Sequence, residues 1–503
     1  MLAFVPKTPD SSKLTFKCMT EKTTSPPPVI LWFRTDLRLN DHPGVAEALR
    51  IGATILPVFI WDESLATRPL GAASRWWLHH SLEVLHENLV ARGSRLIIER
   101  GQASVVLGAL AKEYSVKTVI CSRTFDPENE ECDRQAAHAL AQLGVDLKRV
   151  NATLLTEPNA LITKSGTPFR VFTPFYRALE ASGALDVNAL ALHPNQAWPS
   201  PGVWPGSRAL SDLKLTPSLT PSGKDWSKGF GRFTPGEDGA RAALQHFINH
   251  GLADYAGGRD RPDLDLTSHL SAHLRFGEIS PQRVLHDLAV AVRSKPSLAV
   301  SAAKFRSELA WREFSYGLLA QQPRLHEVNF RRDFDDFEWR TDEKGFRAWC
   351  RGETGYELVD AGMRELWQTG YMHNRVRMVA ASFLVKHLLI DWRRGEQWFW
   401  DCLVDADPAN NTASWQWVSG CGADAAPYFR VFNPISQAEK FDPQARYRAR
   451  YIAGYQGAFP KAKTATGDLF SLDAKAYPQP IVDHAFARDR ALEAYRNRGQ
   501  EAD

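Results

Sequence analysis

The residues best able to do chemistry lie close together between Tyr371 and Asn433. On a helix opening at His373, Asn374, Arg377 and Met378 stand at i, i+3 and i+4 and share one face. An amide, a guanidinium and a thioether make an odd core. A surface helix with Met as gap filler is the plain alternative. Asp405 and Asp407 are two apart in a loop, where they can pair with Arg377 and hold a ribose hydroxyl. Capping and solvation explain such a pair equally well, and Asn411 can also be a helix cap. Upstream, Thr267, Ser268, Leu270 and Ser271 offer hydroxyls and backbone N–H groups at a helix start, which is an anion cradle or a simple cap. Glu308, Trp311 and Arg312 share one face of another helical segment and, taken alone, form an amphipathic edge. The chain holds 16 Trp, enough to fill a large core, stack on flat ligands or carry an electron.

These residues sit in a chain of 503, with 44% apolar and 24% charged residues. That is the mix of a globular protein of two to four domains, and it excludes collagen, a long coiled coil and a mostly disordered chain. The best apolar run, Met378 to Val385, is far below the roughly 18 residues a membrane helix needs. Net charge is +3, so a nucleic-acid site must be a local patch. The six cysteines show no CxxC or Cys/His ligand spacing and read as reduced thiols of a cytoplasmic protein, without an iron–sulfur or structural zinc site.

The elements that position the chemistry follow from the pattern. Residues 1–28 are polar, lack a signal-peptide core and read as a disordered tail. Over 29–150, apolar runs at Val29–Phe33, Thr54–Ile60, Arg95–Ile98, Lys117–Cys121 and Val145–Val150 alternate with helical stretches. This predicts βαβ units in a doubly wound parallel sheet. The turn after the first strand has no GxGxxG, which disfavours dinucleotide binding there. Residues 151–225 read as a connector whose clearest helix is Thr173–Ala181, with Thr173 as N-cap and Pro174 in the first turn. Residues 226–495 read as all-helical, and Ser280-Pro281 is another cap pair.

Five ordered segments carry a resemblance: Ile30-Leu-Trp-Phe-Arg-Thr-Asp-Leu-Arg-Leu-Asn-Asp41, Glu308-Leu-Ala-Trp-Arg-Glu-Phe314, Gly370-Tyr-Met-His-Asn-Arg-Val-Arg-Met378, Asp391-Trp-Arg393, and Trp415-Gln-Trp417 through Pro427-Tyr-Phe-Arg-Val-Phe-Asn-Pro434. Together they resemble the photolyase/cryptochrome family over roughly Val29 to Tyr495. The resemblance implies an α/β domain and a helical FAD-binding domain joined by a long loop. It implies FAD held by Tyr255, Thr267, Ser268, Leu270, Ser271, Phe305, Arg312, Arg377, Asp405 and Asp407, with Asn411 facing flavin N5. The pattern Met-His-Asn-Arg-x-Arg-Met is similar to branches that repair cyclobutane pyrimidine dimers, of bacterial class I or class III. Asn374 disfavours six-four repair. Glu308, Asn374, Met378, Trp311 and Trp417 match the dimer site, where a buried Glu308 would have a raised pKa and donate to the dimer. Trp415, Trp392 and Trp339 match an electron chain to the surface, and Arg259, Arg375, Arg430 and Lys440 a basic rim for ultraviolet-damaged DNA.

The resemblance also implies an antenna chromophore. Asn129-Glu130 favours methenyltetrahydrofolate over deazaflavin, while a second flavin or no antenna stays open. A capped helix is the plain reading of that segment. The expected protein is a cytoplasmic monomer without membrane contact. The alternative function is a cryptochrome-type blue-light sensor acting through a protein partner.

Overall fold

The computed structural model describes residues 26–66, 68–187, 190, 197–216, 225–425, 429–452 and 477–498. The tail expected over 1–28 therefore lies outside the described residues except at its end, as do Pro427 and Tyr428 of the last motif and residues 453–476.

The α/β half is built on five parallel strands: β1 (Val29–Phe33), β2 (Ile55–Trp61), β3 (Ile97–Arg100), β4 (Thr118–Ser122) and β5 (Asp146–Val150). Their order is β3-β2-β1-β4-β5. Helices α1 (Pro43–Ile51), α2 (Ala72–Val90), α3 (Ala103–Glu113) and α4 (Pro127–Ala141) fill the crossovers. All five residues of β1 are buried. Its side chains alternate between two cores: Val29, Leu31 and Phe33 pack with Trp76, Trp77 and Leu82 of α2, while Ile30 and Trp32 pack with Leu107 of α3 and Leu140 of α4. The doubly wound expectation holds, and each strand lies within two residues of its expected start.

The connector carries α5 (Phe172–Ala181). Its cap differs from expectation: Val171 is the N-cap, with no side-chain bond, and Thr173 lies inside the helix. The helical half then runs through α6 (Glu237–His246), α7 (Tyr255–Gly258), α8 (Ser271–Arg275), α9 (Pro281–Ser294), α10 (Ala299–Gln321), α11 (Glu343–Arg351), α12 (Glu357–Thr369), α13 (Asn374–Ser382), α14 (Trp392–Cys402), α15 (Asn410–Ser419), α16 (Pro434–Phe441), α17 (Arg446–Tyr451) and α18 (His484–Asn497). Ser280 caps α9 as expected, its Oγ accepting from Arg283 N at 2.8 Å. The helix expected over His373–Leu388 is α-helical only to Ser382 and widens into a π-turn over Phe383–His387.

The halves are joined by buried polar ties. Arg38 donates to Gly277 O (2.9 Å) and Ala152 O (2.8 Å), and Trp77 Nε1 to Glu278 Oε1 (3.0 Å). Gly277 has φ +64°, and a Cβ there would lie 2.3 Å from Thr35 O, so only glycine lets the two chains approach so closely. Among the described residues no helix is long and apolar enough to cross a membrane. The described cysteines are free thiols.

Candidate active site

Helix α13 opens the site. Its N-cap is His373, whose Nδ1 accepts from Arg375 N at 3.1 Å. His373 is 5% exposed, burial holds its pKa down at about 4, and its Nε2 has no partner. From the same helix, Arg377 donates to Asp405 Oδ2 (2.9 Å) and Met372 O (2.7 Å). The expected Arg377–Asp405 pair is thus formed. The other carboxylate oxygen, Asp405 Oδ1, is buried without any donor. A buried acceptor left open costs about 1–3 kcal/mol, so this oxygen needs a donor from outside the chain, a water or a ligand.

Asp407 is used differently. Its Oδ1 accepts from Ala409 N (3.0 Å) and Asn410 N (2.8 Å), and its Oδ2 from the Tyr316 hydroxyl (2.8 Å). The capping alternative is the one formed, and a ribose hydroxyl would share Oδ2 with Tyr316. Asn411 caps nothing. Its Nδ2 donates to Glu396 Oε1 (2.8 Å) and Glu396 O (3.1 Å). Glu396 is a residue the sequence reading missed; a lone carboxylate in the first turns of a Trp-rich helix is the only signal for it.

An aromatic wall stands opposite. Tyr255 is buried edge-on to Phe305, with ring centroids 5.3 Å apart, and both touch Phe247. Burial raises the Tyr255 pKa. Leu270 is buried, Thr267 and Ser268 are half-buried and Ser271 is exposed. Ser271 begins α8, whose opening N–H groups have no carbonyl in their own helix. Arg312 is already engaged with Thr153 O (2.7 Å) and Leu274 O (3.3 Å), so it ties this wall to the start of the connector.

The outer residues of α10 correct one expectation. Glu308 is not a lone buried carboxyl. Its side chain is 28% exposed and bound through both oxygens by Arg259, one contact at 3.0 Å, with Lys304 at 3.4 Å. Arg375 pairs with Asp260 at 2.8 Å and lies 4.4 Å from the Phe441 ring centroid, with Lys440 Nζ 5.2 Å from the same ring. Arg430 is exposed over Phe432. Asn374 is exposed and Met378 half-buried on α13, as one face requires. Trp311 is stacked on Phe172 at 3.7 Å and 5°, so Phe172 is a further wall residue that the sequence reading placed only in the connector. Trp417 donates from Nε1 to Asp424 O (3.0 Å).

Trp415 is 2% exposed, and its ring abuts Gly395, where a Cβ would lie 2.2 Å away. Gly395 is one turn beyond Trp392, which is fully buried with Nε1 on Asn329 Oδ1 (2.9 Å). Trp339 is half-buried against Phe337 at 4.4 Å. All three indoles belong to one packed cluster. In the α/β half, Asn129 is held by Asp126, which caps α4, and Glu130 pairs with Arg123 at 2.8 Å. The capped-helix alternative is the one formed there.

The comparisons fit this geometry. Residues 29–199 match the family described as "DNA photolyase", and residues 305–497 match "FAD binding domain of DNA photolyase". A "Deoxyribodipyrimidine photo-lyase" of Agrobacterium fabrum is 47% identical over 93% of this chain and 97% of its own length. The crystal structure of a bacterial class III photolyase from Agrobacterium tumefaciens superposes with a TM-score of 0.85 at 46% identity, covering 95% of this chain and 99% of that one. "Cryptochrome-1" of Arabidopsis thaliana is 35% identical over 84% of this chain but only 62% of its own length. Both halves of the chain, with an FAD-binding domain in the second, belong to the photolyase family.

Proposed function

We propose that this chain is a deoxyribodipyrimidine photo-lyase that splits cyclobutane pyrimidine dimers in DNA. The observation that carries the reading is Asp405 Oδ1, an open buried acceptor beside Arg377, in a chain 47% identical to a protein of that name. When bound, fully reduced FAD supplies under blue light the electron that opens the cyclobutane ring, and it takes the electron back, so no net redox change remains.

The residues present fit that group. Asp405 Oδ1 is free to accept from a flavin ring N–H, and Arg377 fixes the carboxylate through its other oxygen. Asn411 turns its amide oxygen to the N5 side. Tyr255 and Phe305 give an apolar face, while Thr267, Ser268, Leu270 and Ser271 line the phosphate side. Arg312 and Asp407 hold the wall and the loop around it.

Damaged DNA is the substrate. Arg259, Arg375, Arg430 and Lys440 hold backbone phosphates, which gives salt-dependent affinity without sequence preference. Trp311 and Trp417 stack on the extruded dimer, and Asn374 and Met378 edge its pocket. Glu308 acts in two states. In the free protein Arg259 holds it through both oxygens; a phosphate competes for Arg259, and the released side chain is then free to turn to the dimer. Trp415, Trp392 and Trp339 pass electrons between the surface and the flavin place. For the antenna we propose the methenyltetrahydrofolate class, which requires Asn129 to leave Asp126. We further propose a monomer acting in the cytoplasm.

The test is repair. Photoreduced protein is mixed with an oligonucleotide holding one thymine dimer, and dimer loss is compared in blue light and in the dark. Light-dependent loss is expected, lowered at least about tenfold by Glu308→Ala. Binding without repair by fully reduced protein sinks the reading in favour of a light sensor.

A further inference from the structure

One cation of the α/β half reaches into the helical half. Arg68 follows β2, yet its guanidinium lies 3.9 Å from the Trp400 ring centroid on α14 and donates to Glu396 Oε2. The docking around it is close. Trp400 Nε1 donates to Pro69 O (2.8 Å), Ala72 N to Asp401 Oδ1 (2.9 Å) and Ser74 Oγ to Leu403 O (3.0 Å). A Cβ on Gly71 would lie 2.0 Å from Trp400 O, so the loop meets α14 backbone to backbone.

Glu396 is 2% exposed, and among the described residues Arg68 is its only ion-pair partner. A buried carboxylate without a countercharge is costly, and Arg68 supplies the countercharge that fixes the Glu396 side chain at this place. Its Oε1 accepts from Thr412 Oγ1 (2.9 Å) as well as from Asn411 Nδ2. Asn411 therefore faces two acceptors of one residue, the Glu396 carboxylate and carbonyl, and only its NH₂ end can satisfy them. That fixes the amide. Oδ1 points away from α14, and among the described residues nothing donates to it.

We propose that Arg68 is a positioning residue for the flavin's redox state: through Glu396 it locks the Asn411 amide with its oxygen, an acceptor, toward the N5 side. This rests on the reading of Asn411 given above. Without Arg68, the Glu396 side chain loses its anchor and swings toward water. That removes the bias on the amide, which then also offers N–H donors. An acceptor at N5 favours the reduced, N5-protonated flavin, and a donor favours the oxidised one. Docking of the α/β half thus helps to set how long the reduced cofactor survives in air.

The test uses the full-length flavoprotein and follows the return of the oxidised flavin spectrum after photoreduction, on admitting oxygen. Flavin content and melting temperature are recorded alongside. Arg68→Ala is expected to keep its flavin and to reoxidise about tenfold faster than wild type, the size of losing one charge-assisted contact. Arg68→Gln, which keeps a polar stem, serves if the alanine variant folds poorly, and the same acceleration is expected. In a Glu396→Gln background, Arg68→Gln is expected to add nothing. Wild-type reoxidation in the Arg68 variants, with faster reoxidation in Asn411→Ala, overturns the role of Arg68 and leaves Asn411 facing the flavin. Wild-type reoxidation in Asn411→Ala overturns both. A full extra effect of Arg68→Gln over Glu396→Gln overturns the route through Glu396.

Discussion

At the carboxyl ends of β1 and β4, Arg34, Asp36, His42 and Asp133 form one buried polar cluster; at the start of α13 and α15, buried His373 and Asp405 stand with half-buried Arg377 and Asn411. Both are built on arginine–carboxylate pairs, but they treat their acceptors differently. In the first, Asp36 Oδ1 takes Arg34 N (2.7 Å), Oδ2 takes His42 Nε2 (2.8 Å), and Asp133 is bound by Arg34, with Arg149 at 3.7 Å. Order β3-β2-β1-β4-β5 makes this the switch point of the sheet, where doubly wound folds usually bind a ligand. Here the crevice is filled by the chain's own charges. In the second cluster Asp405 Oδ1 has no donor and Asn411 Oδ1 faces away from its partner. A closed acceptor set holds a fold together, whereas an open one marks a ligand's place.

Substitution in the two clusters tests that contrast. The largest effect is expected from Arg377→Leu, which strands the buried Asp405 charge. Stability should fall by about 3–5 kcal/mol, with flavin content per chain falling too. Arg34→Leu strands Asp133, whose side chain is fully buried, and should cost about 3 kcal/mol by thermal unfolding while surviving folded protein keeps its flavin. Equal flavin loss in both variants would erase the distinction.

Acid should separate the clusters next. Burial pushes the His373 pKa down to about 4, against roughly 6.5 when unfolded. A neutral His373 therefore stabilises the fold above about pH 6.5, and that contribution is lost as pH falls toward 4. For Asp36, burial works upward, but the His42 hydrogen bond and charge outweigh it and hold the pKa at about 2. Its stabilisation is complete above roughly pH 4 and is lost as pH falls through 2. Flavin release should thus begin between pH 6.5 and 4, before the α/β half unfolds, and His373→Asn should shift release toward lower pH. Release confined below pH 4 contradicts this order. The smallest effect belongs to Asn129→Ala, which loosens the α4 cap for under about 1 kcal/mol. A missing near-ultraviolet absorption band in that variant would instead identify an antenna there.

The α/β half was legible because parallel buried strands read as continuous apolar runs and their crossovers as 3.6-residue periods. That Arg377 pairs with a carboxylate of the 405–407 loop was legible from residue type, and the resemblance singled out Asp405. Helix α15 was not: Asn410-Asn-Thr-Ala-Ser414 has weak helix formers, its N-cap Ala409 has no capping side chain, and Asp407 and tertiary bonds hold it. Gln416 alone binds Leu325 O, Val328 O and Phe330 N at 2.7, 2.9 and 2.8 Å. Glu308 was misjudged because its partner Arg259 lies 49 residues upstream, beyond any local pattern. Glu396 and Arg68, 328 residues apart, were hidden for the same reason.

A crystal structure of the chain with FAD bound tests the central claim most directly. Flavin ring donors are expected within hydrogen-bond distance of Asp405 Oδ1 and, in the reduced state, of Asn411 Oδ1, with the Arg34–Asp133 cluster unchanged. Flavin seated elsewhere, or both oxygens left without a flavin contact, would contradict it.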